Sequence, residues 1–287
     1  MDIEHLQQWI GRSEQVEERI AAFPANGLAA TLDRSDPPYD DGTVLPPCWH
    51  WLYFLAPSRH GELGPDGHAA RGGFLPPVPL PRRMWAGSRL EFHAPLCIGR
   101  RLRRVSTVKD VALKSGRGGA LVFVTVAHRV LDGETLCVEE EQDIVYRAAP
   151  QPGAPTPTPK PAPEDATFSR VIHPDPVLLQ RYSALTFNGH RIHYDRDYCL
   201  HHEGYPGLVV HGPLLATLML DLLRRNDPGA RVARFSFRAQ APIFDLHDFS
   251  VHGAPDPDGE TVRLWVRRHD GALAMSATAA LTKGQDT

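Results

Sequence analysis

The sequence predicts an α+β protein of two similar halves, each a helix wrapped by a curved antiparallel sheet. Three observations carry this prediction. A proline-rich stretch divides the chain near its middle. Each half ends in β-rich segments joined by tight turns. In the second half a helix that is apolar on nearly every side precedes those strands. Two such units in one chain make a double hot-dog, although periodicity alone also fits a generic α+β fold.

Residues 4–22 have helical spacing, with Leu6, Ile10, Val16 and Ile20 among charges, and predict a helix. Residues 27–87 are rich in Gly and Pro and show few elements. The exception is the aromatic run from Trp49 to Leu55, the candidate for the first-half helix. Strands are expected at 89–94, 102–113, 120–131 and 136–147. They are separated by Gly99, by Gly116-Arg117-Gly118-Gly119 and by Asp132-Gly133, a hairpin signal. The 120–131 strand is apolar on both faces and reads as central. Residues 150–163 hold seven prolines in fourteen positions. Proline lacks the N–H that ladders need, so this stretch reads as an extended linker between units 1–149 and 164–287.

In the second unit, residues 176–185 read as a helix. Residues 214–225 read as the buried helix, with Pro213 suited to its first turn and Arg224-Arg225 opposite its C-terminal dipole. Strands follow at 231–244, 249–252, 261–269 and 272–281, with turns at 253–259 and Asp270-Gly271.

Composition excludes several classes. The 287 residues are 42% hydrophobic and 23% charged, too apolar for a disordered chain. A net charge of −3 gives no basic field for nucleic acid or an anionic membrane. No apolar run is long enough to span a bilayer, and the N-terminus resembles no signal or transit peptide. Cys48, Cys97, Cys137 and Cys199 are dispersed and read as reduced thiols, so a cytoplasmic location is expected. The adjacent His201 and His202 with Glu203 do not converge on one ion, and no metal site is expected.

Five of the fifteen histidines lie between His190 and His211. The segment reads Tyr182-Ser-Ala-Leu-Thr-Phe-Asn-Gly-His-Arg-Ile-His-Tyr-Asp195, then Glu203-Gly-Tyr-Pro-Gly-Leu-Val-Val-His-Gly-Pro213. It resembles the signature of MaoC-like enoyl-thioester hydratases and dehydratases: Ser-Gly-Asp-x-Asn-Pro-x-His, then His-Gly at the start of the hot-dog helix. The likeness is to the branch that hydrates itaconyl-CoA and mesaconyl-C4-CoA and includes the mitochondrial 3-hydroxyacyl-thioester dehydratases. Leu45–Phe54 and Leu80–Gly87 resemble the N-terminal domain of the two hydratases.

The resemblance implies catalytic roles for His193, Asn188 and Gly212. His193 takes the catalytic histidine position and would move protons to and from the substrate. Asn188 takes the aspartate position, where an amide can orient water but cannot accept a proton. Gly212 N–H, at a buried helix N-terminus, would stabilise the thioester oxyanion. His190, Arg191, Tyr194 and His211 are expected around the substrate. Arg191 could grip a free carboxylate or could equally pair with Asp195 or Glu203. Whether Asp195 replaces the missing carboxylate is open.

The implied activity is hydration of a short, branched dicarboxyl enoyl-CoA, itaconyl-CoA or mesaconyl-C4-CoA, to citramalyl-CoA. Alternatives are a 3-hydroxyacyl-thioester dehydratase of fatty-acid synthesis and a non-catalytic acyl-CoA-binding module. No cofactor is expected, since the CoA thioester is the substrate. A homodimer is an open option for the assembly.

Overall fold

The computed structural model describes residues 1–116, 119–149 and 159–282. The first half contains helix α1 (Ile3–Gln7), strand β1 (Ser13–Arg19) and helix α2 (Ala22–Thr31). Four longer strands follow: β2 (Arg82–Phe92), β3 (Arg101–Gly116), β4 (Gly119–Asp132) and β5 (Thr135–Arg147). The second half has strand β6 (Phe168–Ile172) and helices α3 (Pro176–Leu185), α4 (Arg196–Tyr198) and α5 (Gly212–Asn226). It ends in strands β7 (Val232–Ala239), β8 (Phe249–Pro255), β9 (Thr261–Arg267) and β10 (Leu273–Leu281).

All ten strands form one sheet in the order β1-β3-β4-β5-β2-β7-β10-β9-β8-β6. Each half therefore repeats one topology: its first strand lies at an outer edge and its second at the centre of the molecule. The halves join where β2 pairs antiparallel with β7, from Gly87 opposite Arg238 to Glu91 opposite Arg234. Gly87 is required there: a Cβ on it would stand 2.3 Å from the Phe237 carbonyl oxygen.

Helix α5 is the axis of this arrangement. Every residue from Leu214 to Leu223 is buried, and the helix packs against β2, β6, β8, β9 and β10. One apolar cluster contains Leu90, Ile98 and Val138 of the first half together with Leu218, Leu222 and Phe235 of the second. A separate cluster in the first half gathers Val108, Val111, Val124 and Tyr146 under Leu6, Trp9 and the 74–80 segment.

The structure corrects several expectations. Residues 4–22 are not one helix. Only Ile3–Gln7 is helical, and Ser13–Arg19 is an edge strand on β3 whose burial alternates residue by residue. Gly11, at φ +87°, turns the chain between them. The aromatic run from Trp49 is a single 3-10 turn, Trp49–Leu52, entered from Cys48 in the left-handed region. Helix α2, not anticipated, spans Ala22–Thr31 across the start of the 27–87 region and packs on α3. Strand β2 starts at Arg82, and the bulge between Trp85 and Gly87 hid its alternation. Only 232–239 of the expected 231–244 strand is extended, and β8 runs on to Pro255. Of the proline-rich stretch, residues 150–158 lie outside the described residues, as do Arg117 and Gly118. Its end packs on the second half, where Ala162 N–H donates to Gly271 O at 2.9 Å.

Candidate active site

The site is assembled where the α3–α5 connection of the second half meets the loop around residue 66 of the first. Asp175 caps α3 by accepting from Leu178 N–H at 2.7 Å, and Pro176 occupies the first turn. The chain then turns through Phe187, at φ +48°, into Asn188. Asn188 Oδ1 accepts from His190 N–H at 3.0 Å, which sets His190 and the short helical turn Arg191–His193. After α4 and one π turn, Cys199–Glu203, the chain returns along Val209 to His211, the residue before α5.

Four imidazoles stand in file. His68 and His190 have ring centroids 4.0 Å apart, His190 and His193 5.5 Å, and His193 stacks on His211 at 3.6 Å. The file is anchored at both ends. His68 Nδ1 lies 3.0 Å from Asp66 Oδ2, and His211 Nε2 lies 2.8 Å from Ser183 Oγ. His193 Nδ1 is 2.7 Å from Val209 O. A carbonyl only accepts, so Nδ1 carries the proton and Nε2 presents a lone pair.

Burial sets the charge of the file. It pushes His193 down to about 4, aided by the charge of His68 and opposed by the Val209 hydrogen bond. Burial likewise lowers His190 and His211, each further lowered by neighbouring histidines. For Asp66, burial pushes upward, but the hydrogen bonds and charge of His68 outweigh it and hold the carboxyl well below its ordinary value. The imidazoles are therefore neutral near pH 7. Gly212 begins α5, where its N–H has no acceptor among the described residues. The buried Nδ1 of neighbouring His211 is likewise unpartnered among them. A Cβ on Gly212 would stand 3.9 Å from Met275 Cε and from the Trp85 carbonyl oxygen, ordinary van der Waals contact.

Other expected site residues lie elsewhere. Arg191 is tied to Asp195 by Nε at 2.9 Å and Nη2 at 2.8 Å, donates to Pro65 O at 3.1 Å, and stacks 4.2 Å above Tyr198. Of the two uses open to it, pairing with Asp195 is the one present. Asp195 itself caps α4 by accepting from Tyr198 N–H at 2.9 Å, and its other oxygen is held by Arg191. Tyr194 is half exposed, its hydroxyl donating to Gly189 O at 3.0 Å. A recess lined by Pro206, Ile243, Phe244, His247, Arg268 and His269 adjoins the Val209–Val210 segment but contains none of the four imidazoles.

Sequence reasoning missed Asp66 and His68, gave Ser183 no role within the motif, and left Arg83 as one of several open candidates for CoA phosphates. The first two are delivered by a close backbone approach. A Cβ on Gly67, at φ +86°, would stand 2.0 Å from Gly189 O, and Asp66 O accepts from Arg191 N–H at 2.9 Å. Arg83, on β2, is half-buried beside the Tyr146 hydroxyl, and its charge acts on both His68 and His190. It has no carboxylate partner among the described residues.

His193 stacks on His211, the residue before α5, so an imidazole of fixed tautomer and a buried helix N-terminus lie close together on a double hot-dog, an arrangement suited to acyl-thioester chemistry. Residues 48–245 match the family model of hydroxyacyl-thioester dehydratase type 2, and the chain belongs to that family. It is 51% identical to the mesaconyl-C(4)-CoA hydratase of Chloroflexus aurantiacus, over 95% of this chain and 96% of that one. It is 30% identical to the mitochondrial hydroxyacyl-thioester dehydratase type 2 of Schizosaccharomyces pombe, over 79% of this chain and 81% of the other. Among solved structures, a MaoC-like dehydratase from Phytophthora capsici superposes with a TM-score of 0.71 at 14% identity, covering 99% of both chains. A Mycobacterium tuberculosis protein with a double hotdog fold gives 0.57 at 14% identity, covering 95% of this chain and 96% of that one. The double hot-dog fold and the MaoC-like resemblance are thus borne out, and the protein is an enzyme of the hydratase/dehydratase kind. That family is generally cofactor-independent. No helix among the described residues is long and apolar enough to cross a membrane.

Proposed function

We propose that this protein hydrates a short, branched dicarboxyl enoyl-CoA of the mesaconyl-C4-CoA type to citramalyl-CoA. The observation that carries the substrate is the 51% identity, across nearly the full length of both chains, to a mesaconyl-C(4)-CoA hydratase.

The proposed chemistry follows from the file of imidazoles. Neutral His193 accepts a proton at Nε2 from water as the water oxygen adds to the carbon β to the thioester carbonyl. Charge moves onto the thioester oxygen, where Gly212 N–H and the positive end of α5 stabilise the enolate. The His193 imidazolium then returns its proton to the α carbon on the same face, so addition is syn and the residue ends neutral. Asn188 cannot take that proton and is limited to orienting water. His190 and His211 exclude bulk water and keep His193 neutral. No cofactor enters this scheme.

The second reading, a 3-hydroxyacyl-thioester dehydratase, is favoured by the family model and by the Schizosaccharomyces pombe relative. Assaying purified protein with mesaconyl-C4-CoA, itaconyl-CoA and crotonyl-CoA, by loss of enoyl-thioester absorbance, separates the two. Preference for a dicarboxyl thioester supports hydration; preference for crotonyl-CoA and longer monocarboxyl chains supports the dehydratase. A non-catalytic module predicts no turnover of any substrate.

A further inference from the structure

We propose that Arg83 and the Asp66–His68 pair, all from the first half, form the pocket that recognises the free carboxylate of the substrate. The inference rests on the dicarboxyl reading above and adds residues to it.

The substrate's own geometry restricts where such a pocket can be. In a mesaconyl-C4-type thioester the carbon that receives water also carries the carboxylate. The carboxyl carbon is then about 1.5 Å from the reacting carbon, one covalent bond away. Whatever binds it must stand beside the water held at His193 Nε2, within the reach of a neighbouring side chain.

The arginines on this side of the molecule are mostly committed. Arg191 is paired with Asp195 and stacked on Tyr198. Arg82 is paired with Glu203 at 3.1 Å, and Arg71 donates to the carbonyls of Val78, Leu80 and Pro81. Arg83 alone among these four is half-buried without a carboxylate partner among the described residues. It lies opposite Tyr146 in the β2–β5 pairing, two residues before Trp85, whose carbonyl approaches Gly212. Its planar fork suits a carboxylate.

His68 supplies the second contact. Asp66 is acceptor-only, so His68 Nδ1 carries the proton between them and Nε2 remains a lone pair. The charged and titratable groups around His68 are Asp66 on its own loop, Arg71, Arg83 on β2, and His190 from the second half. An incoming carboxylate lets Nε2 take a proton from solvent and donate. Asp66 and the substrate then carry one negative charge each, and His68 and Arg83 one positive charge each, so the pocket is neutral. A thioester without the second carboxylate makes no ion-paired contact with the Arg83 fork, so it gains nothing from this pocket.

Asp66, His68 and His190 also place ligand atoms within 4.8 Å of one another, a spacing a cation could use. Against that use, Asp66 and His68 already bond directly at 3.0 Å.

The test compares wild type with Arg83→Met, Arg83→Lys and His68→Gln. Turnover is measured with mesaconyl-C4-CoA and crotonyl-CoA. Calorimetry measures binding of the saturated analogues methylsuccinyl-C4-CoA and butyryl-CoA. Arg83→Met is expected to lower the kcat/KM ratio of dicarboxyl over monocarboxyl substrate by about 10- to 100-fold, since a charge-assisted bond is worth that factor. Arg83→Lys should retain part of the selectivity, and His68→Gln should lose about 10-fold. Binding of methylsuccinyl-C4-CoA, relative to butyryl-CoA, should weaken in parallel. Equal losses for both substrates, or variants that keep the wild-type binding preference, would overturn the pocket. So would a stoichiometric metal whose removal by chelator abolishes ligand binding. A wild type that does not prefer methylsuccinyl-C4-CoA over butyryl-CoA would instead overturn the dicarboxyl reading.

Discussion

His193 combines three conditions that a single side chain seldom meets: its tautomer is fixed by Val209 O, it is buried, and another imidazole stacks on its face at 3.6 Å. Its value near 4 means the ring is unprotonated, and its Nε2 lone pair free to accept, across the physiological range. With His193 as base, kcat/KM should stay flat from about pH 8 to pH 5 and fall as pH drops through about 4. A pH–rate profile that breaks near 6.5 would show instead that an ordinary, solvated histidine governs the reaction. Gly67 is the other decisive residue at this scale. Gly67→Ala would push a Cβ to 2.0 Å from Gly189 O and force apart the two loops that bring His68 to His190. A loss of about 2 kcal/mol or more is expected in thermal unfolding, with a larger fall in activity than in stability.

Among the elements, α5 explains why part of the fold could be read from residues alone. A helix buried from Leu214 to Leu223 has no solvent face, so its leucines recur at every angle, and that pattern survives any tertiary context. Helix α2 is the reverse case. Its sequence places Gly27 in the helix interior, which weakens the helix, while Pro24 sits in the first turn, where proline is tolerated. It holds because it packs on α3, where Gly27 leaves room that a Cβ, 2.8 Å from Leu185 Cδ2, would fill. Likewise β1 lies inside the helix-spaced 4–22 stretch, of whose apolar residues it holds only Val16, and it is extended because β3 offers it an edge. In the site, His193 and Gly212 stood out because they lie in one continuous motif. Asp66, His68 and Arg83 are more than a hundred residues from His193 and are joined to it only through tertiary contacts, such as Gly67 against Gly189 and Asp66 O with Arg191 N–H.

Element packing also yields a stability test. Asp221 on α5 is buried and held by Arg34 at 2.5 Å, Arg225 at 2.7 Å and Arg170 at 3.1 Å. Asp221→Asn removes the carboxylate partner of Arg170 and Arg225, while Arg34 keeps Asp36, and should cost about 3 kcal/mol in urea unfolding. Arg100→Ala, which breaks an exposed pair with Asp132, should leave the midpoint unchanged.

For the whole molecule, the continuous sheet and shared core have two consequences. Since β2 pairs with β7 and one apolar cluster spans both halves, neither 1–149 nor 164–287 should fold alone. Each should aggregate when expressed separately and be rescued by co-expression, with circular dichroism and activity as readouts. The buried imidazoles also predict acid lability. In the unfolded chain each histidine titrates near its ordinary 6.5, while in the folded chain His193 waits until about 4. Between those values the unfolded state binds the extra proton, so stability is full above about pH 6.5 and is lost as pH falls. His193 alone removes about 3 kcal/mol by pH 4, and lowered His190 and His211 act in the same direction. Thermal midpoints should fall from pH 7 to pH 5; a midpoint that rises over that interval would contradict neutral, buried imidazoles.

The most direct measurement is the rate of mesaconyl-C4-CoA hydration by wild type and by His193→Ala, with the product identified by mass and by its loss of enoyl absorbance. The expected result is formation of citramalyl-CoA by wild type and a loss of about 100- to 10,000-fold in the variant, the range of one general acid–base group. A wild type that leaves the thioester unchanged, or a folded His193→Ala variant within a few-fold of it, would contradict the account.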